Sequence, residues 1–310
     1  MKQLMNLGRA LGMVAAFLFS LVTAALAAEP LVDVAWLKAN LGKPDIVIVD
    51  IQPASDFLRG HIPGAANTDF AKSGWREDRA DKVPDMLPAK FDKLAAHIGS
   101  LGVDNSSHVI LVAPGSSYLD MGWATRIYWT FKTLGHDNVS ILNGGMAAWT
   151  KDKANPLETG AAKVAAKTFT PHPRMDMLAT VDDVKAAIAS KKAVLVDSRP
   201  EDQFSGINRN PKASENGTLP GAKNLPTGWF TENGGGMFRD KATIEKLYKH
   251  AGVSTAGEQI NFCNTGHLAS IGWFVSSELL GNKKAKLYDG SMTEWTLTKA
   301  GPVEQHVKLQ

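Results

Sequence analysis

The chain has 310 residues, 44% of them hydrophobic and 21% charged, with a formal net charge of +3. This is an ordinary globular composition, with length enough for two domains. No basic run with interleaved aromatics occurs, which argues against a nucleic-acid partner, and a single cysteine excludes an internal disulfide.

Lys2 and Arg9 form a basic start, Leu11 to Leu26 is apolar, and Ala25-Leu26-Ala27 is a small-x-small cleavage site. The apolar run is short for a membrane span, so residues 1–27 are expected to be a signal peptide. Its removal would leave a periplasmic protein with no stable membrane anchor. No cysteine follows the run, which excludes a lipoprotein anchor.

The remaining chain carries one pattern twice. The first copy opens with Asp33-Val34-Ala35-Trp36-Leu37 and Ile46-Val47-Ile48-Val49-Asp50; the second opens with Thr180-Val181-Asp182-Asp183-Val184 and Ala193-Val194-Leu195-Val196-Asp197. Asp33 and Thr180 are helix N-caps by type, and Asp183 completes a capping box with Thr180. Each apolar run ending in Asp reads as a parallel strand buried on both faces. A Pro-Gly turn follows in both copies, at Pro63-Gly64 and Pro220-Gly221, leading into another short strand.

Further along, Ile110-Leu111-Val112-Ala113 aligns without gaps on Ile260-Asn261-Phe262-Cys263, and Gly122-Trp123 on Gly272-Trp273. Each copy ends alike, on Trp149 and Trp295. Asp50, Asp197 and the duplicated tryptophans occur in both copies, and are expected to be structural. Strands alternating with helical segments imply an α/β fold: two tandem domains, each a mostly parallel sheet flanked by helices. The boundaries are 28–152 for the first domain, 153–174 for a linker, 175–302 for the second and 303–310 for a tail. A polar insertion at 205–217 is expected to be an exposed loop and a candidate cover over the cleft.

The lone thiol, Cys263, sits between a strand and the helical segment Ile271 to Leu280, where main-chain N–H groups and the helix dipole favour an anion. Asn264, Thr265, Gly266 and His267 behind it are poor core material, which favours a reactive over an inert cysteine. The first copy has Ala113 there, so thiol chemistry belongs to the second domain alone, with the first walling one side of the cleft.

Together, the Val196-Asp197-Ser198-Arg199 motif, the Pro-Gly-Ala turns, the cysteine loop and the Asp289-Gly290…Trp295 ending resemble the rhodanese family. Tandem domains with cysteine only in the second resemble the thiosulfate and 3-mercaptopyruvate sulfurtransferases. The resemblance implies a persulfide on Cys263, loaded by a small-molecule sulfur donor and discharged to a thiol, protein thiol or cyanide, with no cofactor. It implies an anion cradle from Asn264, Thr265, Gly266, His267, Leu268 and Ala269, and a donor-binding role for Arg199; an ion pair of Arg199 with Glu201 or Asp202 is the structural alternative. Asn264-Thr265 match neither the basic residues of thiosulfate-specific members nor the Gly-Ser pair of mercaptopyruvate-specific ones. His267 would bring charge if protonated, or would be a neutral structural residue. A related cysteine-loop phosphatase needs an Arg where Ala269 stands, and Cys263 with His267 falls short of a metal site. The competing non-catalytic reading is a periplasmic persulfide carrier with little turnover of free thiosulfate.

Overall fold

The computed structural model describes residues 28–309, so the expected signal peptide lies outside the described residues. The first domain runs β1 (Leu31–Val32), α1 (Val34–Asn40), β2 (Ile46–Asp50), α2 (Ala54–Arg59), β3 (Ala66–Asn67), α3 (Asp92–Ser100), β4 (His108–Val112), α4 (Tyr118–Thr133), β5 (Val139–Leu142) and α5 (Gly145–Trp149). The second runs β6 (Leu178–Ala179), α6 (Val181–Ser190), β7 (Val194–Asp197), α7 (Glu201–Phe204), β8 (Lys223–Asn224), α8 (Lys241–His250), β9 (Gln259–Phe262), α9 (His267–Phe274), β10 (Ala285–Tyr288) and α10 (Ser291–Leu297). The sheets have orders β1-β5-β4-β2-β3 and β6-β10-β9-β7-β8, and all pairings are parallel.

Local chemistry explains the element starts. The Asp33 carboxylate accepts the Trp36 amide at 2.7 Å, and Thr180 and Asp183 form a reciprocal capping box. Each cap contributes about 1 kcal/mol to its helix. The duplicated tryptophans Trp149 and Trp295 are buried, and each indole N–H donates to a proline carbonyl 3.1 Å away, of Pro156 and Pro302 respectively. They are core residues with their one polar atom satisfied.

The stretch between α5 and β6 contains no helix or strand, yet it is strapped to the first domain. Lys167, His172 and Arg174 amides donate to the carbonyls of Gly99, Leu134 and Thr133, and Phe169 is buried against Phe131. Its composition suggested a crossing linker; its main chain is bonded along the way.

The domains meet along α4 and α9, which are equivalent segments of the two copies. Thr125 and Ser270 hydroxyls lie 2.8 Å apart across this seam, and Tyr128 donates to Glu278 at 3.0 Å. One apolar core runs through both domains, joining Met121, Ile127 and Tyr128 to Ile271, Trp273 and Phe274. The helix expected from Ile271 begins four residues earlier, at His267, and leaves α geometry in a π turn over Val275–Leu279. Gly266, at φ +67°, takes the left-handed conformation that lets the chain turn from loop into helix so early.

Candidate active site

Parallel strands deliver their carboxyl ends to one edge of a sheet, and the crevice opens where successive connections leave in opposite directions. In the second domain that place is between β9 and β7, and Cys263 is the first residue after β9. Its side chain is buried, with the residue 1% exposed.

The loop behind it is held from below by a hydroxyl. Ser291 Oγ accepts the Cys263 amide at 3.0 Å and the Gly266 amide at 3.1 Å, and donates to the Tyr288 carbonyl at 2.8 Å. Main-chain bonds from Met292 to the Cys263 carbonyl and from Thr293 to the Asn264 carbonyl complete the clamp. The amides of Asn264 and Thr265 have no protein acceptor among the described residues. Those of His267, Leu268 and Ala269 lie in the first turn of α9, where N–H groups have no intrahelical partner. A thiolate or persulfide at this loop therefore meets open N–H groups and the positive end of a helix dipole.

Gly266 is one point where the first domain touches this loop. A Cβ there would lie 2.5 Å from Arg126 Nη1 and 2.6 Å from Asp289 Oδ1. Arg126 of α4 and Asp289 form an ion pair buried between the domains, and the Leu87 amide donates to the other Asp289 oxygen at 2.6 Å. The Arg126 guanidinium also lies over Trp129, 4.8 Å from the ring centroid. The first domain thus braces the loop from behind.

The equivalent loop of the first domain is closed chemically. Position 114 is proline, with no N–H to offer, and the Asp120 carboxylate accepts Ser116 N at 3.0 Å, Ser116 Oγ at 2.7 Å and Ser117 N at 3.1 Å. An internal anion occupies that cradle; the matching position in the second copy is Ser270.

Several expected site residues sit elsewhere than anticipated. Arg199 is buried, with Nε 2.9 Å from Asp197 Oδ1 and Nη2 2.6 Å from Asp197 Oδ2 and 2.8 Å from the Gly217 carbonyl. Thr218 also donates to that carboxylate, at 2.7 Å. Arg199 therefore commits Nε and Nη2 to an ion pair with Asp197, rather than Glu201 or Asp202, and is not among the residues lining the cavity between the domains. His267 packs against Gly122 of α4 and near Phe70, and burial lowers its pKa to about 4, so it is neutral at pH 7. Asn264 donates to Gln203 at 2.9 Å, Leu268 packs on the core, and Ala269 is buried.

Thr265 and His267 line a cavity of about 410 Å³ between the domains. Phe70, Arg76, Asp85 and Trp123 come from the first domain, and Asn210 and Lys212 from the 205–217 insertion. The insertion therefore reaches the rim of the cleft. Trp123 is half-buried on the cavity wall, whereas its duplicate Trp273 is buried in the core. The cavity's cations, Arg76 and Lys212, both contact Asp85. The sequence pattern does not single out Arg76, Lys212, Asp85, Gln203, Arg126 or Ser291, and it marks Asp289 only as part of the repeated ending. The signal that Asp289 and Ser291 do carry is that they stand where the first copy has Asn143 and Gly145. Among the described residues no cluster of three or more His, Cys, Asp or Glu is arranged to hold a metal ion.

A double-domain parallel fold with a cradled cysteine in one copy defines a class, and comparison with known proteins agrees. The rhodanese-like domain model matches residues 33–152 and 180–298. The chain belongs to the rhodanese family. A Mycolicibacterium smegmatis protein provisionally named a thiosulfate sulfurtransferase is 34% identical over 287 residues, covering 89% of this chain and 98% of the relative. The sulfur carrier protein TtuD of Thermus thermophilus is 30% identical over 281 residues, covering 86% of this chain and 93% of the relative. Among solved structures, SseA from Escherichia coli, described as a 3-mercaptopyruvate sulfotransferase, superposes with a TM-score of 0.73 at 27% identity, covering 85% of this chain and 99% of SseA.

Proposed function

We propose that this chain is a sulfurtransferase that takes a sulfane sulfur from an anionic donor such as thiosulfate or 3-mercaptopyruvate and passes it through a Cys263 persulfide to a thiol or cyanide. The observation that carries this reading is the set of open loop amides around a buried cysteine, at the carboxyl edge of the second sheet only. With thiosulfate, the Cys263 thiolate attacks the outer sulfur, the S–S bond breaks, and sulfite leaves with the electron pair. The terminal persulfide sulfur is then attacked by the acceptor, and Cys263 departs as thiolate. Donors to the anionic sulfur are in place beforehand, so little reorganisation is needed during either step. Export to the periplasm belongs to the same reading and rests on residues 1–27.

Steady-state thiocyanate formation from cyanide and either thiosulfate or 3-mercaptopyruvate tests it. Turnover by the wild type with at least one of these donors, abolished in Cys263→Ser, supports the enzyme; no turnover by the wild type with either donor refutes it. A second reading, a persulfide carrier serving a dedicated partner, draws support from one feature. No Arg or Lys lies between Asn264 and Asn282, so the loop itself offers a dianionic donor no side-chain charge. A stable cyanide-labile sulfur on Cys263 with negligible steady-state turnover would select the carrier.

A further inference from the structure

The two cations of the cavity do not face it freely. Arg76 Nη1 is 2.8 Å from Asp85 Oδ1, and Lys212 Nζ contacts the other oxygen, Oδ2. One carboxylate thus bridges a guanidinium of the first domain and an ammonium of the second-domain insertion. The Asp85 side chain is 11% exposed, and the Arg76 guanidinium is backed by Phe70, 4.9 Å from the ring centroid.

Asp85 is placed there by its main chain. It takes φ +64°, and the next residue is fixed by a reciprocal bridge, with Glu77 and Met86 each donating to the other at 2.8 Å. Asp is one of the few side chains that accept this left-handed conformation readily. The remaining carboxylate on the cavity wall, Asp69, is turned to its own loop, accepting the Ala71 and Lys72 amides at 2.8 and 3.2 Å.

We infer that Asp85 is a specificity-determining residue: it fills the anion seat between Arg76 and Lys212 and so selects monoanionic sulfur donors over dianionic ones. Two cations less one carboxylate leave the seat one positive charge, which a single sulfonate or carboxylate neutralises. Thiosulfate in that seat would set two negative charges against the Asp85 carboxylate. In a partly desolvated site that repulsion is screened far less than on an open surface.

The inference takes the donor class from the proposed sulfurtransferase reading, so its test removes the nucleophile and reads binding alone. Full mature chain carrying Cys263→Ser is titrated calorimetrically with thiosulfate, and with benzenethiosulfonate as the monoanion, with and without Asp85→Asn. Asn also tolerates the left-handed backbone, so the fold is kept. Thiosulfate should bind about tenfold more tightly to the Asp85→Asn protein at low salt, an advantage that fades as salt is raised. Benzenethiosulfonate should gain no more than about threefold, and Arg76→Met should reverse the thiosulfate gain. Unchanged, weaker or undetectable thiosulfate binding after Asp85→Asn overturns the inference, as does an equal gain for both ligands. A protein that binds as expected but never accepts sulfur would leave this inference standing and sink the sulfurtransferase reading instead.

Discussion

A cysteine placed in the first domain should stay chemically idle. Ala113→Cys, made in a Cys263→Ser background, puts a thiol at the position equivalent to the nucleophile, after the same strand of the same fold. What differs is the cradle, where three donors are already bonded to the Asp120 carboxylate. A bond to a charged acceptor is worth at least about 1.5 kcal/mol, so freeing all three costs on the order of 4–5 kcal/mol. Each 1.4 kcal/mol is about a factor of ten, so a persulfide at position 113 is disfavoured by roughly a thousandfold relative to that at Cys263. Intact-protein mass after thiosulfate, with cyanide release as a check, reads this directly. The relocated thiol should gain no sulfur. Stoichiometric loading there would show that the open amides are not what enables the second domain.

The other expectations concern individual residues. Gly266→Ala forces a Cβ into left-handed backbone and against Arg126 and Asp289, which should cost about 2–4 kcal/mol in urea unfolding at constant m and reduce sulfur loading; a change within about 0.5 kcal/mol would contradict that packing. Arg199→Met leaves Asp197 buried and unpaired, so stability should fall by about 3–5 kcal/mol while the donor KM of the surviving fold changes little; a selective rise in KM at unchanged stability would restore the donor-binding role. His267 is a base whose folded pKa is lowered from 6.5 to about 4, so it contributes stability that is present above 6.5 and is lost as pH falls towards 4. His267→Asn should flatten that part of the acid-unfolding curve and leave the pH profile of kcat/KM near neutrality unaltered in shape. Asp50 has the opposite sense: burial raises its folded pKa from 3.8 to about 6, so its contribution is full below 3.8 and is lost as pH rises through 6. Asp50→Asn should therefore raise stability at pH 7 relative to wild type, read as a higher urea midpoint.

Much of the fold was legible because its signals are local and occur twice. Caps at Asp33 and Thr180, apolar runs ending in Asp50 and Asp197, and the Pro-Gly turns each act within a few residues, and the structure uses them as expected. The nucleophile was legible for a related reason. It is the chain's one cysteine, standing where a gapless alignment of the two copies puts Ala113 in the first. Charge placement was not, because it depends on contacts between residues far apart in the chain. Arg199 lies two residues from the partner that buries it, yet only the folded positions of Thr218 and Gly217 show that the ion pair faces inward. Arg76 and Lys212 converge on Asp85 from different domains, and Arg126 reaches Asp289 across the seam between α4 and α9. The sequence pattern starts α9 only at Ile271, because His267 to Ser270 reads as loop, whereas a left-handed Gly266 allows the helix to start immediately behind it.

Sulfur transfer by this chain requires that sulfur reside at Cys263 between two half-reactions. The most direct measurement is the mass of the purified protein after a donor is added and removed, then again after cyanide. The expected result is a gain of one sulfur atom, mapped to the Cys263 peptide, and its complete loss with one equivalent of thiocyanate formed. No gain from any donor tried, or a gain that cyanide cannot remove, would contradict it.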